Sequence, residues 1–304
     1  MSANDGKKYA CGIELGGQTA SIAICEKVGE IIYKKKGIKT CEPMTPDEAV
    51  ANIVAAIKES GYAIDRIGIA SFGPLDLYKG SIGNTPKPNW GFYPLVKKIQ
   101  EAFPDCKVSM ETDVNAPAYS EYLHLKEQDK SIRSVGYVTI GTGVGVGVFC
   151  DGKPLHGRMH PECGHIMAAR VKGDTFEGTC PFHGACFEGL ISAQALAKRY
   201  GCQQGELQII PDSDPVWDIY IEYVAQLTVT MSYVYSLDAF IIGGGIITAK
   251  GREWIFDKIL ARSQQLINNY IHTPIISKPF HGADAGLVGA CAVAINPDVF
   301  AVEE

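Results

Sequence analysis

The stretch from Glu162 to Glu188 limits what this chain can fold into more than any other. It reads Glu162-Cys163-Gly164-His165, then a polar loop, then Cys180-Pro181-Phe182-His183-Gly184-Ala185-Cys186-Phe187-Glu188. Zinc prefers four nitrogen or sulfur ligands in a tetrahedron. Cys180, His183 and Cys186 stand three apart, so one looped turn can aim all three at a single ion, and His165 upstream is the natural fourth ligand. Two thiolates cancel the charge of the ion and two neutral imidazoles add none, so such a centre can be buried at little electrostatic cost. Glu162 and Glu188 flank the set and are left over as acceptors for something polar. The alternative, Cys and His scattered through a core, is disfavoured by the spacing.

A chain of 304 residues exceeds what one hydrophobic core usually organises, so two domains are expected. The apolar share of 46% and charged share of 20% are those of an ordinary soluble enzyme. A net charge of −6 argues against a general nucleic-acid or anionic-membrane surface. No apolar run approaches a membrane span. Met1 to Lys8 is polar and leads directly into a strand-like segment, so no secretory signal is expected. The ten cysteines are dispersed, and Cys11, Cys25, Cys150 and Cys291 lie in apolar runs where a reduced thiol acts as a small hydrophobe. A reducing compartment, the cytoplasm, follows from that usage.

Along the chain, Tyr9–Leu15, Ala20–Cys25 and Ile31–Lys35 read as a β-meander broken by Gly16-Gly17-Gln18-Thr19. Thr45-Pro46-Asp47-Glu48 spells a capping box, and Val50, Ile53, Val54 and Ile57 give the stripe of a helix closed by Gly61. Arg66–Ser71 is a buried strand. Leu75–Trp90 is rich in Gly, Pro and Asn and reads as an irregular binding loop, too polar for a core element. A helix over Leu95–Phe103 and a strand over Lys107–Glu111 precede a strand-to-helix corner at Asp113, and Val135–Cys150 is a strand–turn–strand about Gly141-Thr142-Gly143. Helices are expected over Leu190–Tyr200, Trp217–Tyr235, Trp254–Tyr270 and Asp284–Ile295, with a buried strand at Ala239–Ile242. Each half opens with a Gly-interrupted hairpin, which points to two similar α/β lobes with ligands between them.

Three glycine clusters end apolar strands: Gly16-Gly17, Gly141-Thr142-Gly143 and Gly243-Gly244-Gly245. Glycine lets backbone amides approach an anion closely, although a plain turn also favours it. Together the three suggest a nucleotide held at strand ends. Asp113, at its corner, could accept the proton of a hydroxyl attacking a γ-phosphate, or could equally cap the helix that begins near Ala116.

Glu14-Leu15-Gly16-Gly17, Ser71-Phe72-Gly73-Pro74-Leu75-Asp76, Thr85-Pro86-Lys87-Pro88-Asn89-Trp90, Thr112-Asp113-Val114-Asn115, Gly141-Thr142-Gly143-Val144-Gly145, the His160–His165 stretch and Cys180 to Gly189 resemble the ROK family of sugar kinases, most of all its bacterial-type, zinc-containing fructokinases. Gly243-Gly244-Gly245 and Gly282 to Ala290 match the rest of the pattern, in order and from end to end. The resemblance implies an α/β, two-lobe, actin-like (RNase H-like) ATPase fold with an interlobe cleft. A small lobe of 1–112 plus 284–304 and a large lobe of 113–283 carrying the zinc loop would form it. It implies Asp113 as catalytic base and Glu162, His165, Glu188, Gly73 and Asn115 at the sugar. Gly16, Gly17, Thr19, Gly141, Thr142, Gly143, Gly244 and Gly245 would hold the nucleotide, and His165, Cys180, His183 and Cys186 the zinc. ATP, Mg²⁺ and Zn²⁺ are the implied cofactors, and a homodimer the implied assembly. One departure stands out: members usually carry Gly-Gly-Thr-Lys in the first hairpin, and here Gln18 and Thr19 occupy the last two positions, which removes a lysine charge from the phosphate side.

The expected reaction is transfer of the ATP γ-phosphoryl group to the 6-hydroxyl of a hexose, fructose giving fructose 6-phosphate. Alignment and charge neutralisation are its main demands. The rivals are a glucose, mannose or N-acyl amino-sugar kinase of the same fold, and a weakly catalytic sugar sensor. A family repressor would carry a DNA-binding module ahead of the first hairpin, where only a short polar segment precedes Tyr9.

Overall fold

The computed structural model describes residues 7–85 and 87–301. Pro86 of the Thr-Pro-Lys-Pro motif and the first six residues of the polar start lie outside it. In chain order the elements are β1 (Tyr9–Leu15), β2 (Thr19–Lys27), β3 (Glu30–Lys39), α1 (Pro46–Glu59), β4 (Ile64–Ser71), β5 (Leu75–Asp76), β6 (Ser81–Ile82), α2 (Leu95–Ala102), β7 (Lys107–Thr112) and α3 (Asn115–Gln128). There follow β8 (Ser134–Ile140), β9 (Val144–Cys150), β10 (Lys153–Pro154), α4 (Phe187–Ile191), α5 (Ala193–Tyr200), α6 (Val216–Tyr235), β11 (Ala239–Gly243), α7 (Trp254–Ile267), β12 (Ile275–Ser277) and α8 (Ala285–Ile295). The mixed α/β architecture is the actin-like ATPase fold expected from the sequence. No described helix is long and apolar enough to cross a membrane.

The chain divides into two compact units. The first comprises Met1–Glu127, Gly147–Pro161 and Asp284–Glu304; the second comprises Gln128–Val146 and Glu162–Ala283. The first unit therefore takes in Asp113 to Glu127 and Gly147 to Pro161, beyond the 1–112 plus 284–304 read from the sequence.

In the first unit a five-stranded sheet runs in the order β3-β2-β1-β4-β7. The meander pairs antiparallel, while β1, β4 and β7 are mutually parallel. Strand alternation sorts the side chains: Cys11, Ile13 and Leu15 enter a core shared with Val50, Ile53 and Ile57 of α1 and Leu95 and Ile99 of α2. Ala10, Ala23 and Cys25 face the other way, onto Leu287, Cys291 and Ala294 of α8. The small residues matter there, because a Cβ on Gly68 would collide with the backbone of α8 at Ala290 and Ala294. The expected capping box starts α1: the Glu48 amide donates to Thr45 Oγ1 at 3.3 Å and the Thr45 amide to Glu48 Oε2 at 2.8 Å.

Leu75–Trp90 corrects its sequence reading. β5 and β6 pair as a short ribbon, and Leu75, Ile82 and Trp90 are core residues. The Gly, Pro and Asn residues make the turns, while the widely spaced apolar residues between them drop into the core. The Trp90 indole donates to the Thr40 carbonyl at 3.1 Å and meets the Phe72 ring edge-on.

In the second unit β8 pairs in parallel with β11, and β11 with β12. The helix expected over Leu190–Tyr200 is two helices, α4 and α5, joined at Ser192, whose hydroxyl accepts the Ala195 amide at 3.3 Å and starts a new helix. α7 ends three residues before Tyr270, at a left-handed Asn268.

Candidate functional site

The candidate residues fall into two groups, one in each unit. The first group stands at the carboxyl ends of parallel strands, the usual ligand edge of such a sheet. Leu15 of β1 pairs with Ser71 of β4, and Ser71 with Thr112 of β7. Gly16, Phe72 and Asp113 thus come next in one row. Two further hydrogen bonds hold it: the Phe72 amide donates to Leu15 O at 3.2 Å and the Asp113 amide to Ser71 O at 2.8 Å. The cap of α3 is supplied by Thr112, whose Oγ1 accepts the Asn115 amide at 2.9 Å, which weakens the reading of Asp113 as that cap.

Asn115, expected at the sugar, is buried, and its amide is engaged inside the unit. Its Oδ1 accepts the Val148 amide at 2.9 Å, and its Nδ2 faces Glu111 Oε1 and the Leu155 carbonyl. Glu111 is fully buried and also meets His156 Nε2 at 2.7 Å. These contacts make Asn115 a brace for the Asp113 corner. Gly73 lies against His160, whose Nε2 would be 2.7 Å from a Cβ placed there. Gly16 and Thr19 close the first turn, the Gly16 amide donating to Thr19 O at 3.0 Å, and Thr19 is exposed.

Two ionisable side chains of this group carry no site role in the sequence reading. Glu14 shares the sheet face of Ala10 and Gly12, and its carboxylate fills the space left by the missing Cβ of Gly286 near the start of α8. Burial, reinforced by the charges of Asp113 and Asp284 and opposed by Lys36, pushes its pKa up to about 7. Lys87 lies over the Phe72 ring, its Nζ 3.5 Å from the centroid. Burial pulls the ammonium pKa down to about 8 against the opposing pull of the Asp113 charge.

The second group centres on the Cys/His loop. The ligand atoms of His165, Cys180, His183 and Cys186 lie within 4.8 Å of one another. The two Nδ1 atoms are 3.3 Å apart; His165 Nδ1 lies 3.6 Å from Cys180 Sγ and 3.7 Å from Cys186 Sγ, and His183 Nδ1 lies 3.7 Å from Cys180 Sγ. A tetrahedron with zinc bonds of about 2.0 Å to nitrogen and 2.3 Å to sulfur has edges of roughly 3.3 Å between nitrogens and 3.5 Å from nitrogen to sulfur. The donor set therefore fits zinc in number, softness and spacing. Backbone bridges Cys180↔Gly184 and Met167↔Cys186 shape the loop.

The polar segment between the ligands is anchored by an ion pair that the spacing argument did not anticipate. Arg199 of α5 grips Asp174 through both terminal nitrogens at 2.8 Å, and the Tyr223 hydroxyl of α6 donates to the same carboxylate at 2.6 Å. These contacts hold the Asp174 carboxyl well below the usual range, the guanidinium being the largest cause.

Glu188, which follows the last ligand, reaches the Gly141-Thr142-Gly143 turn. Its Oε2 accepts the Val144 amide at 3.1 Å and would be 2.7 Å from a Cβ on Gly143. Glu162 is exposed and precedes the single 3₁₀ turn that carries His165. Gly141, Thr142 and Gly245 line a cavity of about 340 Å³ with Gln204, Gln208 and Arg252. Gly244 holds a left-handed backbone at φ 102° beside it in sequence. Arg252 is buried, donates to the Leu207 carbonyl at 2.6 Å and lies over the Trp217 ring. Gln204 donates to Thr142 Oγ1 at 3.2 Å. Neither residue belongs to a motif: Gln204 comes from a connecting segment distant in sequence from the glycines, and Arg252 lies seven residues beyond Gly245.

The ROK family model matches residues 10–296. A fructokinase of Zymomonas mobilis is 35% identical over 302 residues, spanning 96% of this chain and 98% of that protein. A fructokinase of Lactococcus lactis is 35% identical over 272 residues, 88% of each. Among solved structures, a ROK family glucokinase from Streptomyces griseus in complex with glucose and AMPPNP superposes with a TM-score of 0.77 at 23% identity, over 95% of this chain and 99% of that one. Matched across nearly its whole length by the family's pattern and by relatives above 30% identity, the chain belongs to the ROK family.

Proposed function

We propose that this chain is an ATP-dependent hexose kinase that phosphorylates the 6-hydroxyl of fructose. The observation that carries the reading is the placement of Asp113 at the end of the parallel strands β1, β4 and β7, in one row with the Gly16-Gly17 turn. The fructokinase relatives support the choice of sugar. Asp113 accepts the proton of the attacking hydroxyl as the new O–P bond forms. Glu162, His165 and Glu188 orient the ring, and Gly73 leaves room beside it. Gly16, Gly17, Thr19, Gly141, Thr142, Gly143, Gly244 and Gly245 bind the nucleotide. Mg²⁺, when bound with the nucleotide, would supply charge neutralisation at its phosphates.

His165, Cys180, His183 and Cys186 would hold zinc, whose contribution is to fix the loop and the His165 imidazole. The chain acts in the cytoplasm as a homodimer. ADP release coupled to a panel of hexoses tests the reading. Fructose should give a kcat/KM at least tenfold above glucose, mannose and N-acetylmannosamine. Equal or greater activity on one of those transfers the assignment to that sugar, and no turnover on any of them removes the kinase reading.

A further inference from the structure

The row of strand ends that carries Asp113 would receive a highly charged group, yet the turn Gly16-Gly17-Gln18-Thr19 brings no cation of its own. The loop after β6 brings one. Trp90 seats that loop in the core through its bond to Thr40 and its edge contact with Phe72. Three residues earlier, Lys87 meets the same aromatic anchor, with Nζ 3.5 Å from the centre of the Phe72 ring. Its tip ends over the first turn: a Cβ on Gly17 would stand 2.5 Å from Nζ and 3.1 Å from Cε. Glycine at position 17 is thus what lets the lysine in. The Asp113 carboxylate is the charged group whose field the ammonium feels, while Gly17 and Phe72 face it without charge.

Resting on the kinase reading above, we infer that Lys87 is the cation of the phosphoryl-transfer site, meeting the transferring phosphate beside Asp113 in place of a charge on the first glycine turn. An ammonium held on a ring face is partly desolvated without being neutralised by an ion pair. It is therefore a stronger electrostatic partner for an arriving phosphate than a solvated surface lysine. The same burial that strengthens it pulls its pKa down to about 8. Its charge is then lost on the alkaline side of neutrality, which gives the assignment a signature that a purely structural lysine lacks.

Lys87→Met and Lys87→Arg, assayed with fructose and MgATP, test this. Lys87→Met should lower kcat about 10²–10³-fold, as loss of one preorganised donor does, with the fructose KM within threefold. Wild type should lose kcat/KM for MgATP above pH 8, and Lys87→Arg, which stays charged, should move that limb upward. Calorimetry with Mg-AMPPNP should show at least tenfold weaker binding to Lys87→Met. Competitive amine labelling of the wild-type protein should give half-maximal reactivity at Lys87 near pH 8 and protection by Mg-AMPPNP. A Lys87→Met variant with near-wild-type kcat and unchanged AMPPNP affinity overturns the inference and leaves the kinase reading intact. Should wild type turn over no hexose, the kinase reading falls. Lys87 is then decided by labelling: protection upholds it as an anion-binding residue, and no protection ends it. The labelling also decides if Lys87→Met does not fold.

Discussion

The strand-end group of the first unit and the Cys/His loop of the second are built on opposite principles. Glu14 and Asp113 stand on or just beyond strands of a regular sheet whose hydrogen bonds do not depend on their side chains, and Lys87 on a loop that Trp90 pins to it, so the scaffold can tolerate charges in unfavourable surroundings. Two of the three have displaced pKa values as a result. The loop from Glu162 to Glu188 has one short 3₁₀ turn and two isolated bridges of its own. Side chains supply the scaffold: four candidate metal donors, and Asp174 tied to Arg199 and Tyr223 outside the loop. Substitution of Asp113 or Lys87 should therefore change chemistry more than stability, and substitution in the second region should do the reverse.

The largest expected effect is that of Asp113→Asn. Loss of the proposed general base should lower kcat by about 10²–10⁴-fold. The Asp113 backbone bond to Ser71 does not involve the side chain, so Tm should hold within about 2 °C. Near-normal turnover would take Asp113 out of the reaction, and a collapse of Tm would erase the contrast between the regions.

Removing the metal makes the converse case. Cys186→Ser should abolish stoichiometric zinc, read by atomic absorption, and make the 162–188 loop the first site of proteolysis. Sugar affinity should fall because His165 and Glu188 lose their fixed frame. Zinc-free protein with unchanged Tm and fructose affinity would show that the loop stands without its ion.

Arg199→Ala isolates the second staple. Arg199 and Asp174 are 8% and 5% exposed, so removing the guanidinium leaves a buried carboxylate with the Tyr223 hydroxyl, the Phe176 amide and the more distant Arg170 at 3.8 Å, at a cost toward the lower end of about 3–5 kcal/mol. Asp174 also has a pH signature. Its folded pKa lies below the ordinary 3.8, so the stabilisation is present above about pH 4 and is lost as pH falls through the lower, folded value. Denaturant titrations from pH 6 to pH 3 should show that acid loss in wild type and a shallower slope in Arg199→Ala. Equal slopes would mean the pair contributes nothing specific.

The two regions were also unequally legible in sequence. The loop announced itself because metal ligands need fixed residue types at short spacing, and His165, Cys180, His183 and Cys186 converge as that spacing requires. The elements of the fold were likewise readable from strand runs, the Thr45 capping box and glycine turns. Lys87 was not. It reaches Gly17 only because register aligns three strand ends and Trp90 pins a loop that composition marks as polar. Asn115 went the other way: an amide two residues beyond Asp113 resembles a ligand, yet its partners Glu111, Val148 and Leu155 lie in separate segments and draw it inward. Asp174 and Arg199 are 25 residues apart and belong to no motif. Convergence that depends on register or on a buried partner leaves no periodic trace.

Glu14 gives the smallest expected effect and the finest test of the contrast. Its carboxyl is pushed up to about 7 mainly by burial at the start of α8. Between the unfolded value of 4.5 and about 7 the folded chain keeps a proton that the unfolded chain has released, so stability falls as pH rises across that window. The contribution is complete below pH 4.5 and gone above pH 7, where folding carries an ionised carboxylate into a poor setting. Glu14→Gln keeps the shape and removes the titration. Its stability should vary less between pH 4.5 and 7, and above pH 7 it should exceed wild type by on the order of 2–3 kcal/mol. That is the reverse of the acid-side loss expected for Asp174. If chemical denaturation at pH 5, 6, 7 and 8 gives parallel curves for wild type and Glu14→Gln, the strand ends do not hold charge under strain, and the distinction between a tolerant sheet and a self-stapled loop fails at its most sensitive point.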